Sequence, residues 1–158
     1  MPIKFDIATI LPYKENYTVD GAQAAAIWVA DFYKYSTFKK TNSIYGNTIK
    51  KNYLTKNYTN INITGLNKIL SSSTNEYCKN FIKKIDGKNF DLIEIHNRPH
   101  VFNYLKNKII SKYILYIHND PLSMSGSKTI KERLNLLNTV DKIIFVSEWV
   151  QLRFFKDI

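Results

Sequence analysis

The chain has 158 residues, of which 44% are hydrophobic and 14% aromatic, and it carries a formal charge of +10. That length suits one domain with a real core, and that apolar content excludes a disordered chain. No apolar run approaches the roughly 18 residues that a membrane-spanning helix needs, so such a helix is excluded.

The positive charge comes from 20 Lys and 3 Arg set against 13 acidic residues. A basic chain invites a nucleic-acid or membrane-surface partner. The lysines are scattered in short pairs such as Lys39-Lys40, Lys50-Lys51 and Lys83-Lys84. No basic stripe interleaved with aromatics stands on one element, so no nucleic-acid partner is expected. With 17 Asn beside them, the lysines match what an AT-rich coding sequence produces. Loose peripheral attraction to an anionic membrane leaflet is the membrane role left open. The segment Met1 to Asp6 lacks the basic stretch and apolar run of a signal peptide. The lone Cys78 excludes an intrachain disulfide and fits a reducing compartment, and it reads as a buried structural thiol on a helix. The expected location is the cytoplasm, at most at the inner face of the membrane.

In chain order, residues 3–11 form an apolar run closed by Pro12, which predicts a first strand buried on both faces. Residues 13–20 are a polar loop. Gly21-Ala22-Gln23 then opens a helix to about Tyr35, with Ala24, Ala25, Trp28, Phe32 and Tyr35 as its apolar face. Residues 43–48 suggest a short second strand and residues 61–64 another. The stretch 49–73 is rich in Asn and Tyr and weakly patterned. Ser71 to Thr74 offers several caps for a helix over 74–85, with Tyr77, Phe81, Ile82 and Ile85 on one side and Asp86-Gly87 as its stop.

From there the rhythm is regular. Strands are expected at 90–95, 113–117 and 142–146. Helices are expected at 99–108, at 127–140 with Ile130, Leu134, Leu137 and Val140 in phase, and after Ser147. Alternation of this kind implies βαβ units, a parallel sheet and helices on both of its faces.

Two phrases nearly repeat, His96-Asn97-Arg98-Pro99 and His118-Asn119-Asp120-Pro121, and each follows an apolar run. The run at 142–146 ends at Ser147-Glu148. Three strands thus stop at groups that move protons or hydrogen-bond ligands, and in open parallel sheets ligands bind at the carboxyl ends of strands. A histidine there can bind a sugar hydroxyl, shuttle a proton, ligate a metal, or cap the strand. No third and fourth ligand stand at convincing spacing, so no metal is expected. Asn97 and Asn119 suit sharp chain departures, and Asp120 is the nearest carboxylate. Glu94, inside its strand, faces either a helix end or a neighbour's side chain and is not expected to be catalytic. Ser147 either caps the last helix or donates to a phosphate. Asp20-Gly21 opens a helix whose N-terminus favours phosphate, although no second or third glycine completes a dinucleotide fingerprint. Ser123 to Ser127 is small and polar, either a mobile rim loop or a plain connector.

These residues, in this order, resemble the N-terminal domain of a GT-B glycosyltransferase, specifically glycosyltransferase family 4. The match rests on the first strand ending near Pro12, Gly21-Ala22-Gln23, the Asp91-Leu92-Ile93-Glu94-Ile95-His96 strand, Tyr116-Ile117-His118-Asn119-Asp120, and Asp141 to Glu148. The resemblance implies a Rossmann-like open, mainly parallel sheet that forms one half of a GT-B fold over residues 1–158. It implies an acceptor-binding half of a retaining glycosyltransferase, with no metal or other cofactor and a nucleotide-sugar as donor substrate. A glycan or lipid-linked saccharide, of the kind found on bacterial surfaces, would be the acceptor. By the same resemblance His118 lies against the transferred sugar. Gly21, Ala22 and Ser147 lie near the donor phosphate, and His96, Asn97, Asn119 and Asp120 form an acceptor-side rim. The family's Glu-x7-Glu signature is absent here, so the expected donor-binding C-terminal domain lies outside these residues and the domain alone is expected to be inactive. Where the family has Gly-Gly and then Glu, this chain has Asp20-Gly21 and Gln23. The alternatives are a non-catalytic Rossmann-like binding module and, driven by charge, a small α/β domain that binds nucleic acid.

Overall fold

The computed structural model describes residues 5–49, 51–63 and 72–158. Six strands form one sheet: β1 (Ile7–Ile10), β2 (Asn42–Gly46), β3 (Tyr58–Asn60), β4 (Leu92–His96), β5 (Lys112–Ile117) and β6 (Lys142–Phe145). Five helices accompany them: α1 (Ala24–Tyr35), α2 (Ser73–Ile85), α3 (Pro99–Leu105), α4 (Ile130–Thr139) and α5 (Glu148–Phe155). The strand order is β3-β2-β1-β4-β5-β6 and every pairing is parallel. This is a Rossmann-like α/β sheet, with its topological switch between β1 and β4. No helix among the described residues is long and apolar enough to cross a membrane.

Central strands buried on both faces are mostly apolar, and β1 is buried at all four residues with Thr9 its one polar side chain. One face carries the larger core, where Ile10, Ile93, Ile95, Leu115 and Ile117 meet Tyr77 and Phe81 of α2, Phe102 and Leu105 of α3, and Leu136 and Phe154 of α4 and α5. The other face is covered by α1, whose Ala26 and Val29 pack with Leu11, Ile44, Tyr17 and Tyr58. Cys78 is 1% exposed, and burial pushes its thiol up to about 12, so it is inert packing.

Several expectations are corrected. The inward residues of α1 are Ala25, Ala26 and Val29, whereas Phe32 and Tyr35 are exposed. Small side chains let the helix lie close to the sheet, and the larger rings are left at its rim. In α4 the inward residues are Arg133 and Leu136, with Val140 at the cap, while Ile130, Leu134 and Leu137 are exposed. The cause is Arg133, whose guanidinium turns inward to reach the carbonyls of Lys128 (3.1 Å) and Lys156 (2.7 Å) and so ties α4 to the end of α5. That helix begins at Ile130 rather than Ser127, because Thr129 and Glu132 form a reciprocal capping box. The third strand is Tyr58–Asn60, just ahead of the expected 61–64. Thr64, at the end of that expected strand, and Ser71, among the expected caps, lie outside the described residues. Ser72 caps α2, and Asp86 and Gly87 end it with positive φ of 45° and 74°.

Candidate functional site

The carboxyl ends of β4 and β5 come together through one side chain. Asn97 leaves β4 with φ 58°, a left-handed conformation that Asn tolerates better than most residues. Its backbone N–H donates to Tyr116 O at 2.7 Å. Its Oδ1 then accepts the N–H groups of both His118 (3.2 Å) and Asn119 (3.1 Å). Asn97 is buried and works as a clip that sets the direction in which β5 ends.

That clip brings the two histidines together. His96 Nδ1 and His118 Nε2 are 2.9 Å apart. His96 is 1% exposed and stacks on Tyr116 (centroids 4.5 Å, 3° between planes), and Trp28 of α1 packs against all three rings. Burial holds the His96 ring well below the usual histidine range, and neighbouring His118 adds to that; burial also lowers His118, which is partly exposed. Both rings are therefore neutral at physiological pH. Beneath them Glu94 is buried, with Thr9 Oγ1 2.7 Å from one carboxyl oxygen and the Tyr116 hydroxyl 3.3 Å from the other. Burial raises the Glu94 carboxyl above its ordinary value, more than these hydrogen bonds lower it.

On the opposite side of the β4–β5 rim lies a cleft of about 550 Å³. Ser72 and Thr74 from the start of α2, Arg98 and His100 from the start of α3, and Asn119 and Ser123 after β5 face it. The Arg98 guanidinium bonds its neighbour's carbonyl, Asn97 O, at 2.8 Å, and His100 Nε2 meets Asn75 Oδ1 at 2.8 Å. Donors and hydroxyls face the cleft beside the apolar side chain of Met124, a mixture that suits a polyhydroxy ligand. Its floor is rigid. Gly126 sits at φ +91° with its Cα against α3, so that an added Cβ would lie 2.8 Å from His100 N. Ser127 is buried and donates to Pro121 O at 2.7 Å. Residues 123–127 are thus a packed connector.

Of the other expected site residues, Asn119 alone faces the cleft. Asp120 caps the short turn Pro121–Ser123 and accepts Arg153 Nη2 at 2.9 Å; the hydrogen bonds from Arg153 hold its carboxyl below the usual range. Asn119 is exposed at the cleft. Ser147 caps α5 by accepting Val150 N at 3.3 Å. Gly21 and Ala22 lie ahead of α1, which starts at Ala24, and Gly21 closes a turn on Thr18 O at 3.3 Å. An added Cβ at Gly21 would approach nothing nearer than 3.6 Å, so the backbone there does not need glycine. The amino end of α1 already has an anion, because Glu15 Oε1 accepts Ala26 N at 3.2 Å. Burial raises the Glu15 carboxyl, opposed by that bond and by the charge of nearby Arg98.

Sequence reasoning placed His96, Asn97, His118 and Asn119 at this rim but treated the two histidines as separate strand ends. It also gave Arg98 and His100 no role, and Ser72 and Thr74 only that of helix caps. One signal was present: both Arg98 and His100 directly follow the first His-Asn phrase, on the loop that a parallel strand delivers to the carboxyl edge. Among the described residues no group of three or more His, Cys, Asp or Glu is arranged to hold a metal ion. No protein-family model matches the chain, and no curated protein matches it.

Proposed function

We propose that this chain is the acceptor-binding half of a retaining GT-B glycosyltransferase of family 4, working with a nucleotide-sugar bound by a second domain. The observation that carries this reading is the cleft at the carboxyl edge faced by Arg98, His100, Asn119, Ser72 and Thr74, with His118 next to Asn119 in the chain. Hydroxyl-rich saccharides are held by such converging donors, and in this reading the protein contributes position and charge stabilisation rather than a nucleophile. His118 is the group offered to the transferred sugar. Donor phosphate at the Gly21–Ala22 turn would displace Glu15 from the end of α1, so His118 and not that turn is the principal contact.

The lysines support a location beside an anionic membrane. In a parallel sheet every helix end and loop that precedes a strand lies at the amino edge. There Lys39, Lys40, Lys88, Lys108, Lys112 and Lys142 are all exposed, as are Tyr35 (79%), Phe38 (47%) and Ile110 (99%). Cations mixed with exposed rings and an aliphatic tip suit a lipid headgroup layer. This edge faces away from the cleft, which would leave the cleft open to a glycan held off the bilayer.

The test is an NMR titration of the 158-residue chain with oligosaccharides from bacterial surface glycans, and separately with nucleotide-sugars. Saccharides are expected to shift the amides of Arg98, His100, Asn119 and Ser123, nucleotide-sugars to bind weakly, and the chain alone to transfer no sugar. Tight nucleotide-sugar binding without any saccharide effect would identify a binding module instead. Salt-dependent binding of mixed-sequence DNA or RNA at the lysine edge would favour the nucleic-acid reading.

A further inference from the structure

The hydrogen bond between the two histidines can be made in two ways, because one nitrogen donates and the other accepts. The choice is settled by the far side of His96. Its Nε2 is buried and has no hydrogen-bond partner among the described residues. The ring it lies against most closely, Tyr116, is parallel to it within 3°, so an in-plane N–H cannot point into the Tyr116 face. A proton on Nε2 would therefore be an orphaned buried donor, the rarer and costlier of the two unsatisfied states. With its proton on Nδ1 instead, His96 donates to His118 Nε2. His118 Nε2 is then the acceptor, and the proton of neutral His118 must sit on Nδ1. That nitrogen bonds nothing in the described protein and is not among the buried unpartnered atoms, so it reaches solvent at the rim.

We infer that His96 is a positioning residue that fixes the proton of His118 on Nδ1, so that His118 presents a hydrogen-bond donor, not a base, to an oxygen of a saccharide bound at the carboxyl edge. The saccharide rests on the reading above; the position of the proton does not. The near-repeat of the two phrases thereby has a physical use. Paired parallel strands set His96 in register opposite Tyr116, two residues before His118. The Asn97 clip turns the end of β5 so that the second ring closes on the first. A donor at this point suits a group that holds a sugar oxygen through the reaction, and it excludes His118 as the group that deprotonates an acceptor hydroxyl while the pair is intact.

The experiment is long-range proton–nitrogen NMR of the chain carrying 15N-labelled histidine, without ligand, at pH 7.5. Protonated and bare ring nitrogens separate widely in such spectra. The expected result is that His96 and His118 both carry their protons on Nδ1, while neither is doubly protonated. A proton on His118 Nε2 overturns the inference. His96→Phe keeps a stacked ring beside Tyr116 and removes the donor. His118, no longer held as an acceptor, should then show the Nε2–H form that free histidine prefers. If His96 merely filled space, the His118 proton would stay where it was. The wild-type spectrum decides the question even if the variant does not fold. Because no sugar is present, failure here is distinct from failure of the glycosyltransferase reading, which the saccharide titration judges.

Discussion

Unfolding this protein in mild acid should release two histidines that the fold holds neutral. In the unfolded chain each titrates near its ordinary value of about 6.5. In the folded chain His96 and His118 are both lowered, chiefly by burial. A lowered histidine contributes stability that is fully present above the unfolded value and is lost as pH falls below it, because the unfolded state then binds more protons. Going from pH 7.5 to 5.5 therefore removes stability, up to a ceiling of about 1.4 kcal/mol for a histidine that stays neutral throughout. Glu15 and Glu94 act in the opposite sense, since their raised carboxyls keep protons that the unfolded chain releases. A variant comparison cancels them. Urea unfolding followed by circular dichroism at several pH values should show the His96→Gln, His118→Gln double variant losing less stability than wild type over that interval, with a ceiling of about 2.7 kcal/mol for the pair. If wild type and variant lose stability in parallel, the two histidines are not held neutral, and the burial argument fails with them.

Replacing Glu94 by Gln should leave stability at pH 7.5 unchanged or higher in the same urea assay, because the raised carboxyl loses its stabilising protonated form as pH rises and the amide does not. Asn97→Ala should cost about 2–3 kcal/mol in thermal or urea unfolding, since it orphans two backbone N–H groups and leaves an alanine in a left-handed conformation; Asn97→Gly should recover only the backbone part. Gly126→Ala should cost about 2 kcal/mol or more, because its Cβ would press on His100 N at positive φ. Gly21→Ala should stay within about 0.5 kcal/mol of wild type, because that Cβ meets only ordinary contacts. Co-sedimentation with anionic vesicles should weaken about thirtyfold in Lys108→Gln, Lys112→Gln, at about 1 kcal/mol for each lysine near the surface; unchanged binding would separate the amino edge from any membrane role.

How far the sequence reached can be judged element by element. The apolar runs that became β1, β4 and β5 were legible because a strand buried on both faces admits few polar residues, and β6, a half-buried edge strand, was legible from Ile143-Ile144-Phe145. β3 was not, since a three-residue edge strand, Tyr58-Thr59-Asn60, needs little apolar signal. The helices were found but two of their faces were not. Periodicity reports that a stripe exists, and a neighbour decides which stripe turns inward: the sheet selected the alanines of α1, and the carbonyls around Arg133 selected the inward side of α4. The Thr129–Glu132 capping box was written in the sequence and marks the true start of α4.

The site divides in the same way. The chain by itself determined that His96 and His118 end adjacent kinds of strand at one edge of a parallel sheet, because strand-then-helix alternation permits little else. Only the tertiary structure decided that they touch. Contact required β4 and β5 to be neighbours in register, Asn97 to take a left-handed turn and clip the exit of β5, and Trp28 to close over the rings from a helix more than sixty residues away in the chain. Local sequence encodes where a strand stops. The direction in which its last side chain points, and the nitrogen that carries its proton, are set by groups that meet only after the sheet has formed.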